Sequence, residues 1–540
     1  MVPTDDAGRS DANPMPWVAD NLDGTYRNPV LHADWSDPDV IRVGDSFYLV
    51  ASSFHRVPGL PILHSRDLVN WTILGHALDR LDPAAAFDIP QHGNGVWAPA
   101  IRHHDGRFWI FYPDPDRGIF VVTATDPAGP WSRPRPLKTG RGLIDPCPLW
   151  DDDGSAYLVH AWAKSRAGFN NRITCHRMAP DATHLLDAGS DIIDGDTLPG
   201  YRTLEGPKFY RRGDWYWIFA PAGGVAAGWQ SVFRSRHAFG PYEQRIVLAQ
   251  GDTPVNGPHQ GAWVTTPDGQ NWFVHFQDKG PFGRVVHLQP MRWLPDDWPA
   301  IGAPTGDGPG QPVLTHPQPA VATGGPLTAP AAGDDFTGPG VGLQWTWAAN
   351  PRPGWWTIHS GRGLRLACAP TDVDGDLRSL PNLLGQRLPA DRFRATTTLR
   401  LSSPAVGARA GLTVLGARYA WIGLVRTPQG YALVYRTADA GVAEQDAAPA
   451  TAIPLAADGT SGKVAIGVEV DADGGCQFLA AVHPEPPRPV GAPFNATPGH
   501  WVGATLGLFA TAPGAPGPAD PAGPAGAAEV TALRITGRRR

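Results

Sequence analysis

Cysteine is scarce. The 540 residues hold four, Cys147, Cys175, Cys368 and Cys476, far apart and without a C-x-x-C pair, which argues against a disulfide framework or a zinc site. Such usage fits a reducing compartment. Charge is thin as well. Asp, Glu, Lys and Arg make up 18% of the chain, and a net charge of −6 with a pI near 6.3 leaves no basic face for nucleic acid. No apolar run approaches the roughly 20 residues that cross a bilayer, so no membrane span is expected. The opening MVPTDDAGRSDANPMPW lacks both the basic start and the apolar stretch of a secretory signal. These absences lead to an expectation of a cytoplasmic protein. The terminal Arg538, Arg539 and Arg540 read as a solvated tail.

Glycine, proline and tryptophan are abundant instead, at 64, 58 and 21 residues, within a chain that is 42% apolar. That balance suits a large β-rich protein of two domains. A tight turn followed by aromatic and β-branched residues recurs five times: V-G-D-S-F-Y-L-V at Gly44, H-D-G-R-F-W-I-F at Gly106, D-D-G-S-A-Y-L-V at Gly154, R-R-G-D-W-Y-W-I at Gly213 and P-D-G-Q-N-W-F-V at Gly269. Each copy predicts a hairpin into a strand. A period of about 50 to 60 residues is that of a propeller blade. The fold expected is all-β: a five-bladed β-propeller over 25–302, then a β-sandwich. Trp109, Trp215, Trp217 and Trp272, in the strands after the turns, are expected to pack between blades.

Residues 303–333 are rich in Pro, Gly and Ala and predict an extended linker. From Asp334 the pattern becomes short alternating strands such as L-Q-W-T-W, T-T-T-L-R-L and L-G-L-F-A-T, which predicts the β-sandwich over 334–540. The low-complexity TAPGAPGPADPAGPAGAA before the last strand predicts a mobile surface loop.

The first strand of a propeller blade lines the central channel. Ahead of the five turns stand Asp37, the segment Trp97-Ala98-Pro99, Asp145, Glu205 and the segment Pro258-His259-Gln260, so the repeat brings them together. A single Asp before Pro is most often a turn residue. Three acids at equivalent repeat positions are not explained that way. Asp39, Asp151, Asp152 and Asp153 are read as turn residues, and His259 by itself as a core or surface histidine.

With those strings in hand, the chain resembles glycoside hydrolase family 43, the β-xylosidase and α-L-arabinofuranosidase group. The resemblance rests on N-P-V-L-H-A-D-W-S-D-P-D, G-V-W-A-P-A-I-R, I-D-P-C-P-L-W-D-D-D-G, L-E-G-P-K-F-Y and G-P-H-Q-G-A-W-V in that order, and on a segment like Trp501 to Phe509 of the concanavalin-like sandwich of two-domain members. It implies an inverting hydrolase acting on xylo- or arabino-oligosaccharides. Asp37 is then the general base, Glu205 the general acid, and Asp145 the acid that orients Glu205 and keeps it protonated by like-charge repulsion. Phe54 and Trp97 are implied sugar platforms, and Arg284 reaches the sugar and the acids. No cofactor is required. The resemblance allows a calcium ion near the propeller axis, with His259 as a ligand through water. A pocket narrowed by the sandwich implies exo action on chain ends, as a β-1,4-xylosidase, an α-L-arabinofuranosidase or both. The alternatives are an arabinofuranosidase or arabinanase only and, more remotely, a non-catalytic sugar-binding propeller. The signatures W-M-N-D-P-N-G and E-C-P of fructan-cleaving propellers are missing. Two departures bear on substrate choice: Pro113 after Tyr112, and the pair His55 and Arg56.

Overall fold

The computed structural model describes residues 15–321, 326–371, 375–455, 461–482, 485–514 and 526–538. Five four-stranded antiparallel sheets, each in sequential strand order, form five propeller blades. Their first strands are Asp39–Val43, Ala100–His104, Leu143–Trp150, Lys208–Arg212 and His259–Thr265. Around the ring these strands contact one another from blade five through one, two and three to four, so they surround the axis.

Each repeated glycine sits between the first and second strand of its blade, with φ of 60° at Gly44, 67° at Gly106, 84° at Gly154, 56° at Gly213 and 87° at Gly269. A Cβ added at any of the five meets nothing within 4 Å. The requirement is therefore the left-handed dihedral and not space.

The ring closes through its N-terminal segment, which runs along blade five. Leu31 exchanges backbone hydrogen bonds with Val286, and the Tyr26 hydroxyl and Asn28 amide donate to the Leu288 carbonyl. Thr25–Arg27 pairs with Thr315–Pro317. The stretch expected as a linker is thus partly laced to the propeller, also through Ala303 with Gln311 and Leu248 with Gly310; residues 322–325 lie outside the described residues. Trp217 is fully buried among Trp293 and Trp298, Trp109 of blade two meets Trp150 of blade three at 5.4 Å, and Trp272 packs on Tyr26. Trp215 instead carries the Arg236 guanidinium 3.7 Å over its ring.

From Thr346 onward the described strands form two facing sheets with an apolar core between them. Alternation along Phe393–Ser402 is regular: every second residue is buried. Of the loop expected to be mobile, residues 515–525 lie outside the described residues, whereas its flanks Thr511–Pro513 and Ala527–Ala528 belong to strands. Arg538 is paired with Glu469 at 2.9 Å. The core of the sandwich also takes in Phe282 and Val285 of blade five. Val57 and Trp347 exchange backbone hydrogen bonds across the domain boundary, and Asn350 caps Leu81 in both directions.

Candidate active site

The acids stand at the entrances of the innermost strands, and the backbone there is strained. Asp37 lies two residues before the blade-one strand with φ of 56°, and Asp145 lies within the blade-three strand with φ of 56°, where the register slips between Ile144 and Cys147. Gln260 repeats the device in blade five, with φ of 37° and a slip between His259 and Gly261. Left-handed backbone at a non-glycine residue costs about 1–3 kcal/mol and re-aims its side chain.

Asp37 is buried among donors. The Ser36 and Ser52 hydroxyls donate to its Oδ2 at 2.7 and 2.5 Å, and Arg284 Nη1 donates to Oδ1 and Oδ2 at 3.0 and 3.2 Å. Arg284 also donates to Ser36 Oγ at 2.6 Å and lies 4.9 Å over the Phe276 ring. Every partner of this carboxylate donates, which suits a group that accepts a proton from water.

Asp145 and Glu205 form a second unit. The Gly206 N–H donates to Asp145 Oδ2 at 2.8 Å, so the residue after Glu205 ties the two acids together. Consecutive residues of blade five complete the unit: His259 Nε2 meets Glu205 Oε1 at 3.0 Å, and Gln260 Nε2 donates to Asp145 Oδ1 at 3.3 Å. Burial, and after it the Glu205 carboxylate, push the Asp145 carboxyl up to about 7. Asp145 is the more enclosed of the two acids, with a side chain that Gly206 and Gln260 cover, whereas 23% of the Glu205 side chain is exposed.

His259 Nδ1 is buried without a hydrogen-bond partner among the described residues. No group of three or more His, Cys, Asp or Glu side chains among the described residues converges as a cation site. One imidazole nitrogen falls far short of the six to eight oxygens of calcium, so a calcium ion here would be held mostly by water.

Asp39 is not a turn residue. It is fully buried at the head of the blade-one strand, accepts from the Ile101 N–H at 2.8 Å and pairs with Arg102 at 2.7 Å, while Lys208 Nζ lies 3.9 Å away. Arg102 also reaches Cys147 Sγ at 2.7 Å. This buried layer joins the first four blades at the level of the acids. Asp151 likewise does more than turn the chain, since its carboxylate accepts from the Tyr216 hydroxyl and pairs with Arg211 at 3.5 Å. Asp152 and Asp153 remain in the exposed turn.

Phe54 and Trp97 face each other edge-on at 6.2 Å. The Trp97 indole donates to the Gly93 carbonyl at 2.9 Å and its backbone N–H to the Pro113 carbonyl at 3.1 Å, which gives Pro113 a role in placing that ring. A third aromatic was not foreseen. Trp501 of the sandwich, 43% exposed and with φ of 65°, meets Trp97 at 6.1 Å. Arg56 is buried against Asp34 at 3.3 Å and continues to the Gly503 carbonyl and Thr505 hydroxyl of the sandwich. Asp34 also accepts from the Arg284 N–H at 3.1 Å and the Gly503 N–H at 3.0 Å, so one carboxylate fixes both the strand that Arg284 opens and the second domain. A Cβ on Gly503 would lie 2.7 Å from the Gly283 nitrogen, which explains the glycine by close approach.

Comparison with known proteins settles the relationship. The profile of glycosyl hydrolases family 43 matches residues 26–299, and that of a β-xylosidase C-terminal concanavalin A-like domain matches 333–521. The chain belongs to glycoside hydrolase family 43. Among family relatives, a putative β-xylosidase of Xylanibacter ruminicola is 41% identical over 409 residues, 75% of this chain and 74% of that protein. A non-reducing end α-L-arabinofuranosidase of Bacteroides ovatus is 31% identical over 407 residues, 72% of this chain and 73% of its own. A solved family 43 structure from Bacteroides ovatus superposes with a TM-score of 0.80 at 26% identity, covering 95% of this chain and all of that one. Xylan β-1,4-xylosidase from Bacillus halodurans has a TM-score of 0.81 at 23% identity over 94% and 99% of the two chains, a likeness of fold. The family 43 assignment covers both domains.

Proposed function

We propose that this family 43 glycoside hydrolase is an inverting, exo-acting enzyme that releases xylose from the non-reducing ends of xylo-oligosaccharides, with or without terminal α-L-arabinofuranosyl groups as a second substrate. The observation that carries the reading is the division of the acids. One carboxylate, Asp37, is surrounded by donors; the other two, Asp145 and Glu205, are tied together through the Gly206 N–H, with the Asp145 carboxyl pushed up to about 7 by burial and by Glu205.

An inverting hydrolase needs that division. Asp37 takes a proton from water as the water attacks the anomeric carbon, and Glu205 gives its proton to the leaving oxygen from the opposite face. Asp145, more enclosed than Glu205, orients it through the Gly206 N–H and is the neighbouring acid that stands beside it. Arg284 and the two serines aim Asp37. His259 and Gln260 hold the acid pair. No step runs through a cation; a calcium ion on the axis would act electrostatically, held mostly by water.

Exo action is supported by the mouth. Phe54 and Trp97 from the propeller and Trp501 from the sandwich wall one side, so a second domain narrows what would otherwise be an open channel. The names of the two relatives support both sugars. The test is a panel of p-nitrophenyl β-D-xylopyranoside, p-nitrophenyl α-L-arabinofuranoside and xylobiose. Hydrolysis of xylobiose to xylose together with either aryl glycoside supports the proposal. Cleavage of the arabinofuranoside alone narrows it to an arabinofuranosidase, and no cleavage of any refutes it.

A further inference from the structure

Two arginines and one aspartate are buried together where the domains meet. Arg56 is 7% exposed, Arg387 8% and Asp34 3%. The Asp34 carboxylate is already occupied: Arg56 Nη1 reaches it at 3.3 Å, and the Gly503 and Arg284 N–H groups donate to it at 3.0 and 3.1 Å. Arg387 is left with the Asp34 carbonyl, to which its Nε donates at 2.6 Å, and makes no ion pair among the described residues. One of two buried guanidinium charges therefore lacks a counterion. A buried charge is strongly unfavourable until something pairs with it.

Arg387 lies 3.9 Å over the Trp35 ring and lines a pocket of about 40 Å³. Its Nη1 and Nη2 make no hydrogen bond among the described residues. Neither is sealed off in the way that Trp35 Nε1, His32 Nδ1 and Gln386 Nε2 are, so a ligand in the pocket can reach both. Burial, and after it Arg56, push the guanidinium down to about 9. Arginine keeps its proton even so, and the direction of the push reports missing negative charge.

The pocket selects the size and class of what fills the gap. It has room for roughly three water-sized spheres at about 10–15 Å³ each, far below the roughly 300 Å³ at which sites for sugars or nucleotides begin. Val30, Leu31, Val69, Trp71 and Ile73 make most of the wall apolar, and no Asp or Glu among the described residues lines it. Burial holds His32 well below its usual range, so that ring is neutral. One reachable cation among apolar walls suits a monatomic, weakly hydrated anion. Phosphate or sulfate would bring more charge and more oxygens than a single guanidinium can satisfy.

We propose that this pocket holds a halide ion, chloride under ordinary conditions, paired with the Nη groups of Arg387. Arg387 comes from the sandwich, whereas Trp35 and Trp71 come from the propeller, so the site is complete only when the two domains are docked. Binding there stabilises the docked chain by mass action. Asp37, Asp145 and Glu205 do not line the pocket, so the ion takes no part in bond cleavage.

Thermal melts of the full chain in sodium chloride, sodium bromide and sodium gluconate at equal ionic strength test the site, because gluconate screens charge but is too large to enter. The melting temperature is expected to rise by a few degrees for each tenfold increase in chloride or bromide once the site fills, and to stay level in gluconate. Arg387→Gln removes the charge and is expected to lose the halide dependence. Equal melts of the wild type in all three salts overturn the proposal, as does a halide dependence that survives in Arg387→Gln. Should that variant fail to fold, wild-type crystals in sodium bromide decide: an anomalous bromide peak beside the Arg387 Nη atoms upholds the site, and bromide peaks elsewhere with none in this pocket overturn it.

Discussion

Replacing Asp145 by Asn separates stability from activity, because the two respond with opposite signs. The carboxyl sits at about 7 in the folded protein against an ordinary 3.8, held up first by burial and then by Glu205. A shift of that size is worth on the order of 4 kcal/mol at about 1.36 kcal/mol per unit. The unfolded chain ionises Asp145 near its ordinary value while the folded chain keeps the proton to about 7, so the wild type loses stability as pH rises through that window. Asparagine cannot ionise and still offers an oxygen to the Gly206 N–H. The melting temperature of Asp145→Asn is therefore expected to gain on the wild type between pH 4.5 and pH 8, by on the order of 10 °C in a domain of this size. Activity goes the other way. Asp145 is the like charge beside the proton donor, so without it the alkaline limb of kcat/KM is expected to move to lower pH, at about tenfold in rate per unit above the limb. Thermal melts and pH profiles on xylobiose read both. A melting difference that is the same at pH 4.5 and pH 8, or an alkaline limb that stays in place, refutes the role given to Asp145.

Asp37→Asn removes the acceptor of the water proton and is expected to lower kcat by about three orders of magnitude with an unchanged melt, measured on p-nitrophenyl β-D-xylopyranoside; near-normal activity would exclude Asp37 as the base. Trp501→Ala removes the sandwich's aromatic from the mouth. At about 1 kcal/mol of lost stacking, KM for xylobiose should rise roughly fivefold with kcat little changed, and an unaltered KM would mean that the ring does not meet the sugar.

The blades were legible because their signal is local. A glycine forced to positive φ between two aromatic strands shows in ten residues of sequence, and five copies reveal the period. The acids were legible because that period places Asp37, Asp145 and Glu205 in register. What escaped the sequence depends on distant contacts. Asp34 meets Gly503 across 469 positions and Arg56 meets Thr505 across 449, so the hub that docks the sandwich has no periodic trace. Asp39 was misread because an Asp in a D-P-D string looks like a turn until the Arg102 and Lys208 that bury it are seen. Gln260 was visible in G-P-H-Q, but its partnership with Asp145 depends on a bulge that sequence does not announce. Likewise Trp501 stood in a family-like segment, and only the packing of one domain on the other brings it to Trp97.

The central claim is that Asp37 delivers water to the face of the sugar opposite Glu205. Proton NMR of the first xylose released from xylobiose tests it most directly. α-Xylose is expected from the β-linked substrate before mutarotation, as direct displacement by water requires. First-formed β-xylose would mean a covalent glycosyl intermediate and would contradict the roles assigned to all three acids.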